Sequence, residues 1–148
     1  LLAFSVLGPL GRGFSLPEGV RKVVLVAGGV GMAPLAFFIE EVCRGEGRGK
    51  PMDTVLYLGA GSESLITGCD RLNGLCDFRI CTDDGSKGHR GPVTDLLKRD
   101  IGTFSPKETV IYGCGPRPMI RALRVLLADL SIPCQVSLEE RMACGIGA

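Results

Sequence analysis

Lys22-Val-Val-Leu-Val-Ala-Gly-Gly-Val-Gly-Met-Ala-Pro34 is the stretch that decides the fold. Lys22 to Ala27 is an almost unbroken apolar run, the pattern of a strand covered on both faces in a parallel sheet. The chain then turns on Gly28-Gly-Val-Gly31 and enters a helical stretch from about Ala33 to Cys43, with Pro34 in its first turn. Strand, glycine turn and helix in this order let the main chain close on a phosphate. The helix N-terminus adds unpaired N–H groups and a dipole end that favours an anion by about 0.3–1 kcal/mol. The match to the dinucleotide fingerprint G-x-G-x-x-G is partial, because Pro34 stands at the third glycine. A tight strand-to-helix turn with no ligand is the competing reading.

Outward from this stretch the same alternation repeats. Strands are expected at Thr54–Leu58, Phe78–Cys81, Thr109–Tyr112 and Gln135–Leu138, and helices within Glu63–Asn73, from Gly91 through Lys98, and at Pro118–Leu130. The fold class is therefore α/β, a Rossmann-like open parallel sheet of about five strands with helices on both faces. Small residues close each strand: Gly59-Ala-Gly61, Thr82-Asp-Asp-Gly85 and Gly113-Cys-Gly-Pro116. In such sheets ligands bind at the carboxyl ends of the strands, near the topological switch point.

Composition narrows the function classes. Seventeen basic against sixteen acidic residues leave a net charge of +1, so no electrostatic argument points to nucleic acid or to an anionic membrane. No apolar run approaches the roughly 20 residues that cross a bilayer. Seven cysteines are an odd number with no C-x-x-C pair, which argues against a disulfide framework and a complete zinc site. Cys43, Cys69, Cys76, Cys81 and Cys134 read as small apolar residues in a reducing, cytoplasmic setting.

The remaining candidates have two readings each. Cys114 stands in a glycine loop where a flat ring could approach its thiol, and it is equally the inert buried residue that most lone cysteines are. Arg117 has the charge for a phosphate or is merely exposed. Asp83-Asp84-Gly85 either lies along a ligand or is a simple turn, since Asp and Gly suit turn geometry. His89, the sole histidine, falls in a polar loop and is expected in solvent. Glu63 follows the second strand with no base before Arg71, which favours NAD over NADP.

LGPLGRGF (7–14), GGVGMAPL (28–35), TDDGSKGHRG (82–91), YGCGPRPM (112–119) and SLEERMACGIGA (137–148) together resemble the ferredoxin–NADP reductase superfamily. Within it they are most similar to the electron-transfer subunits of NAD-linked dihydroorotate dehydrogenases. The resemblance implies a fragment of a longer oxidoreductase subunit, inactive alone. Residues 1–14 would be the end of an FAD-binding β-barrel and its linker. Residues 15–138 would be the NAD-binding domain, and residues 139–148 the start of a truncated [2Fe–2S] segment. NAD would meet Gly28, Gly29, Gly31 and Pro34 at its pyrophosphate and Asp83 and Gly85 along the nucleotide. Gly113, Cys114, Gly115 and Pro116 would border the nicotinamide. Gly8, Pro9, Leu10 and Gly11 would sit at the hinge with the barrel. Cys114 and Glu139 would stand at the flavin–nicotinamide junction, and Cys144 would be the first cluster ligand. FAD and [2Fe–2S] belong to the full-length protein and are not expected on this stretch alone. The implied partner is an FMN-containing dihydroorotate dehydrogenase catalytic subunit, in a heterotetramer of pyrimidine biosynthesis. A reductase subunit serving ferredoxin, a hydrogenase or a sulfur reductase would share most of these motifs. For this stretch by itself, a plain nucleotide-binding or interaction module remains open.

Overall fold

The apolar run at the start of the chain becomes β1, Lys22–Gly28, with six of its seven residues buried. The computed structural model describes residues 12–44 and 52–138. After β1 come α1 (Met32–Arg44), β2 (Asp53–Ala60), β3 (Asp77–Thr82), β4 (His89–Arg90) and α2 (Val93–Asp100). β5 (Thr109–Gly115), α3 (Arg117–Leu127) and β6 (Cys134–Leu138) complete the described elements. The strands form one sheet in the order β4-β3-β2-β1-β5-β6, and every neighbouring pair is parallel.

β1 lies inside the sheet because its side chains are apolar on both faces. Val23, Leu25 and Ala27 pack with Leu35, Ile39 and Val42 of α1. Val24 and Val26 point the other way, onto Leu97 of α2 and Leu123 and Leu127 of α3. Each such large aliphatic side chain, fully buried, contributes about 1.5–3 kcal/mol. The chain reverses its direction of growth at β1: β2 and β3 extend the sheet on one side, and β5 and β6 on the other. That reversal opens a crevice between the carboxyl ends of β1 and β5.

All five expected strands are present, and a sixth is added. β4 has only two residues, too short to leave a period in the sequence, and pairs Cys81 with His89 and Thr82 with Arg90. His89, expected in solvent, is half-buried in this strand. The helix expected within Glu63–Asn73 is instead two single 3-10 turns, Glu63–Leu65 and Cys69–Leu72. Gly68, between them, is left-handed with φ of 79°, which interrupts a regular helix.

The segment entering the sheet is fastened at its edge. Phe14 packs edge-on against Tyr112 and Phe38, with ring centroids 5.2 and 5.5 Å away. The Ser15 N–H donates to Gln135 Oε1 at 3.0 Å, and Gln135 Nε2 donates back to the Ser15 carbonyl at 2.7 Å. Tyr112 also donates to that carbonyl, at 2.7 Å.

On the other face of the sheet, the Tyr57 hydroxyl of β2 donates to Asp100 Oδ2 at 2.6 Å. Burial first, and then the Asp100 carboxylate, pushes this phenol above its usual value. The folded chain therefore keeps Tyr57 protonated where the unfolded chain ionises. Its contribution is complete below the ordinary tyrosine value near 10 and falls as the pH rises from there toward the raised folded value. Urea titrations from neutral to alkaline pH check this. Tyr57→Phe is expected to lose about 1 kcal/mol at neutral pH and to show a shallower alkaline decline than the parent chain.

Candidate functional site

The carboxyl ends of β1, β2, β3 and β5 come level because the strands pair in register, Gly28 beside Gly59, Gly59 beside Cys81 and Ala27 beside Cys114. Two glycine turns meet there. A Cβ on Gly31 would stand 2.1 Å from the Cys114 carbonyl oxygen and 2.9 Å from the Gly115 nitrogen. Backbone thus lies on backbone, and a side chain at position 31 has no space. Gly29 is the opposite case. Its φ of +54° is left-handed, yet nothing lies within 4 Å of where its Cβ would be. The first glycine turn therefore has a packed side toward β5 and an open side toward solvent.

The open side faces a cleft of about 260 Å³. Gly28 and Gly29 form one wall and Gly59–Gly61 another, with Asp83 at the end of β3. Pro92 and Val93 at the head of α2, and Pro116 and Met119 at the head of α3, supply its apolar floor. Asp83 is the one charged side chain among these lining residues. An anion entering here would rely on main-chain N–H groups and the α1 dipole, with no lysine or arginine in the lining.

The loop after β3 is braced against the loop after β2. Asp83 N–H donates to the Ala60 carbonyl at 3.0 Å, and Asp84 N–H to the Gly61 carbonyl at 3.3 Å. Asp84 Oδ1 accepts from the Ser86 N–H at 2.9 Å and from its hydroxyl at 2.6 Å. These bonds hold the Asp84 carboxyl below the usual carboxylate range. The Ser86 hydroxyl oxygen in turn accepts from Glu63 N–H at 2.8 Å. Lys87 Nζ lies 3.1 Å from Glu63 Oε1, an exposed ion pair. Reading the sequence after β2 finds no base before Arg71, but folding brings Lys87 to Glu63 and turns Arg71 onto Glu40 of α1, at 3.0 Å.

Of the residues named from sequence, Gly28, Gly29, Asp83 and Pro116 line the cleft. Gly31, Gly113 and Gly115 stand behind it as packing positions: Gly113 faces Leu123 and Val136, and Gly115 faces Met119 and Gly28. Pro34 is exposed in the first turn of α1, and Gly85, with φ of +78°, turns the β3 loop against Arg90. Cys114 is 4% exposed and its side chain belongs to the α1-side core, whereas the cleft opens on the side of α2 and α3. Gly8, Pro9, Leu10, Gly11, Glu139 and Cys144 lie outside the described residues. Gly59, Ala60 and Gly61 are the small residues that close β2 at the expected ligand edge, while Pro92, Val93 and Met119 are not among the residues expected at the site from sequence. Among the described residues no three His, Cys, Asp or Glu side chains converge on a metal ion. No described helix is long and apolar enough to cross a membrane.

Comparison with known proteins places this geometry. The family model for the oxidoreductase NAD-binding domain matches residues 25–125. The chain is 40% identical over 146 residues to the "Dihydroorotate dehydrogenase B (NAD(+)), electron transfer subunit" of Desulforamulus reducens. It is 38% identical over 144 residues to the protein of the same name from Caldanaerobacter subterraneus subsp. tengcongensis. Each match covers 97% of this chain and 53% of the relative, so the chain spans about half the length of the curated relatives it matches. A ferredoxin NADP+ reductase from Neisseria gonorrhoeae, solved with bound FAD and NADP, shares the fold at a TM-score of 0.67 and 20% identity. That likeness covers 85% of this chain and 60% of the reductase chain.

The two glycines of the first turn are expected to separate in a denaturation experiment. Gly31→Ala drives a methyl group into the β5 main chain and costs about 3 kcal/mol or more. Gly29→Ala has room and pays only the left-handed conformation, about 1–2 kcal/mol. Urea midpoints of the two variants against the parent chain measure the difference.

Proposed function

The chain belongs to the oxidoreductase NAD-binding domain family, and on that premise we propose that it binds NAD across the carboxyl edge of β1, β2 and β3. The observation that carries this reading is the cleft itself, with Gly29 open at one wall and Asp83 the single charge among the described residues that line it. The residues present fit the dinucleotide's parts. The open main chain at Gly29, leading into α1, takes the pyrophosphate, since a larger residue there would fill the approach. The Asp83 carboxylate accepts hydrogen bonds from ribose hydroxyls. Lys87 of the β3 loop is paired with Glu63, and no lysine or arginine is among the described residues lining the cleft, which favours NAD over NADP. At about 260 Å³ the cleft is smaller than the roughly 300–1,000 Å³ of a typical ligand pocket. The nicotinamide end therefore runs on past Pro116. Cys114 serves there through its carbonyl, which braces the first glycine turn, while its sulfur stays in the core.

When bound, NAD supplies the hydride chemistry, and the protein supplies position and electrostatics. In the whole protein this domain serves an electron-transfer subunit of a cytoplasmic dihydroorotate dehydrogenase, carrying FAD and a [2Fe–2S] cluster and partnered by an FMN-containing catalytic subunit. Cys144 is a cluster ligand in that proposal. Glu139 lies at the flavin–nicotinamide junction, and Gly8–Gly11 join the flavin barrel. Support comes from the identity to relatives bearing that name.

Calorimetric titration with NADH and NADPH tests the proposal. NADH is expected to bind the more tightly. Asp83→Ala is expected to weaken NADH about tenfold, the loss of one charged hydrogen bond, with the melting profile unchanged. Saturable binding of neither nucleotide would overturn the reading of the cleft.

A further inference from the structure

The far end of α1 holds thiols that the nucleotide cleft does not use. Cys43 lies eleven residues beyond Met32, about 16 Å along the helix from the glycine turn. It is exposed, and its thiol donates to the Leu75 carbonyl at 3.3 Å. Leu75 is bonded to Cys76, the residue just before β3. By standard backbone dimensions the Cys76 Cα stands about 2.8 Å from that carbonyl oxygen, so the Cys43 sulfur lies within about 6 Å of it. Cys76 and Cys69 are half-buried, and both pack against the α1-side core that Val42 and Leu72 help to form. Since no three such side chains among the described residues converge on a metal ion, the chemistry open to these sulfurs is pairwise.

We propose that Cys43 and Cys76 are a redox-active dithiol that closes to an intramolecular disulfide when met by a small disulfide oxidant such as glutathione disulfide. The exposed Cys43 thiolate attacks one sulfur of the oxidant, forming a mixed disulfide and releasing one molecule of thiol. Cys76, losing its proton, then attacks Cys43 Sγ; the Cys43–Cys76 bond forms and the second thiol leaves. Two protein thiols give up two electrons and two protons, and the oxidant is reduced to two thiols. Burial, and then the neighbouring Cys43, pushes the Cys76 thiol up to about 12, so the second step is slow at neutral pH and quickens as pH rises. Closure ties the end of α1 to the entry of β3, at the edge of the sheet away from Gly29 and Asp83. It constrains the unfolded chain and leaves the cleft intact.

The experiment incubates the reduced chain with glutathione disulfide at pH 7 and pH 9, quenches with iodoacetamide and maps tryptic peptides by mass spectrometry. The expected product is a Cys43–Cys76 cross-linked peptide, about 2 Da lighter than its two reduced halves together. It should accumulate faster at pH 9 and raise the melting temperature by about 5 °C. Cys69→Ser is expected to close normally, whereas Cys43→Ser, at an exposed position, is expected to lose the cross-link while remaining folded. Recovery of Cys43 as a stable mixed disulfide at both pH values, or cross-linked to Cys69, would overturn the proposal.

Discussion

No side chain fits between the turn after β1 and the end of β5. The Gly31 main chain lies directly on the carbonyl of Cys114, and this contact sets the relative height of the two central strands' carboxyl ends. From it follow the start of α1 at Met32, the seating of α3 beyond Pro116 and the crevice between them. Because the packed side of the turn is fully used, the first strand's end meets solvent on its open side, at Gly29 and Val30. A binding edge is thus created by the same contact that holds the sheet's centre together.

The charge layout around that edge differs from a salt-bridged anion pocket. Among the described residues no lysine or arginine lines the cleft, and Lys87 of the β3 loop is paired with Glu63. In the proposed complex, recognition rests on main-chain dipoles fixed by glycine turns, which have nothing to reorganise and little side-chain entropy to lose. The loop carrying Asp83 is held by the Asp84–Ser86–Glu63 chain of hydrogen bonds. Its carboxylate is therefore placed by the backbone of two strands together.

Much of this was legible in the sequence, because the signals were local. The apolar run Val23–Ala27, the glycines at 28, 29 and 31, and the regular return of strand and helix each report on residues close in the chain. The fold class and all five longer strands could be read that way. What escaped depended on contacts between distant residues. Lys87 meets Glu63 only after β2 and β3 pair, and Met119 enters the cleft only once α3 lies over Gly28. Cys114 is instructive. Its glycine-rich setting suggested a thiol facing a ligand, but strand alternation sends Tyr112 and Cys114 to the α1 side and leaves the cleft side to Gly113 and Gly115. Two-residue β4 carried no pattern at all.

The strand order has a consequence for how the chain is made. β1 pairs on one side with β2, which begins 31 residues after it, and on the other with β5, which begins at Thr109. Ser15 is bonded to Gln135, 120 positions away. During synthesis, β1, α1, β2 and β3 can assemble as soon as they leave the ribosome, while the far side of β1 stays bare. An apolar strand edge of that kind is the feature chaperones recognise and neighbouring nascent chains can capture. From the moment β1 emerges until Thr109–Gly115 follows it, the central strand stands as an open edge.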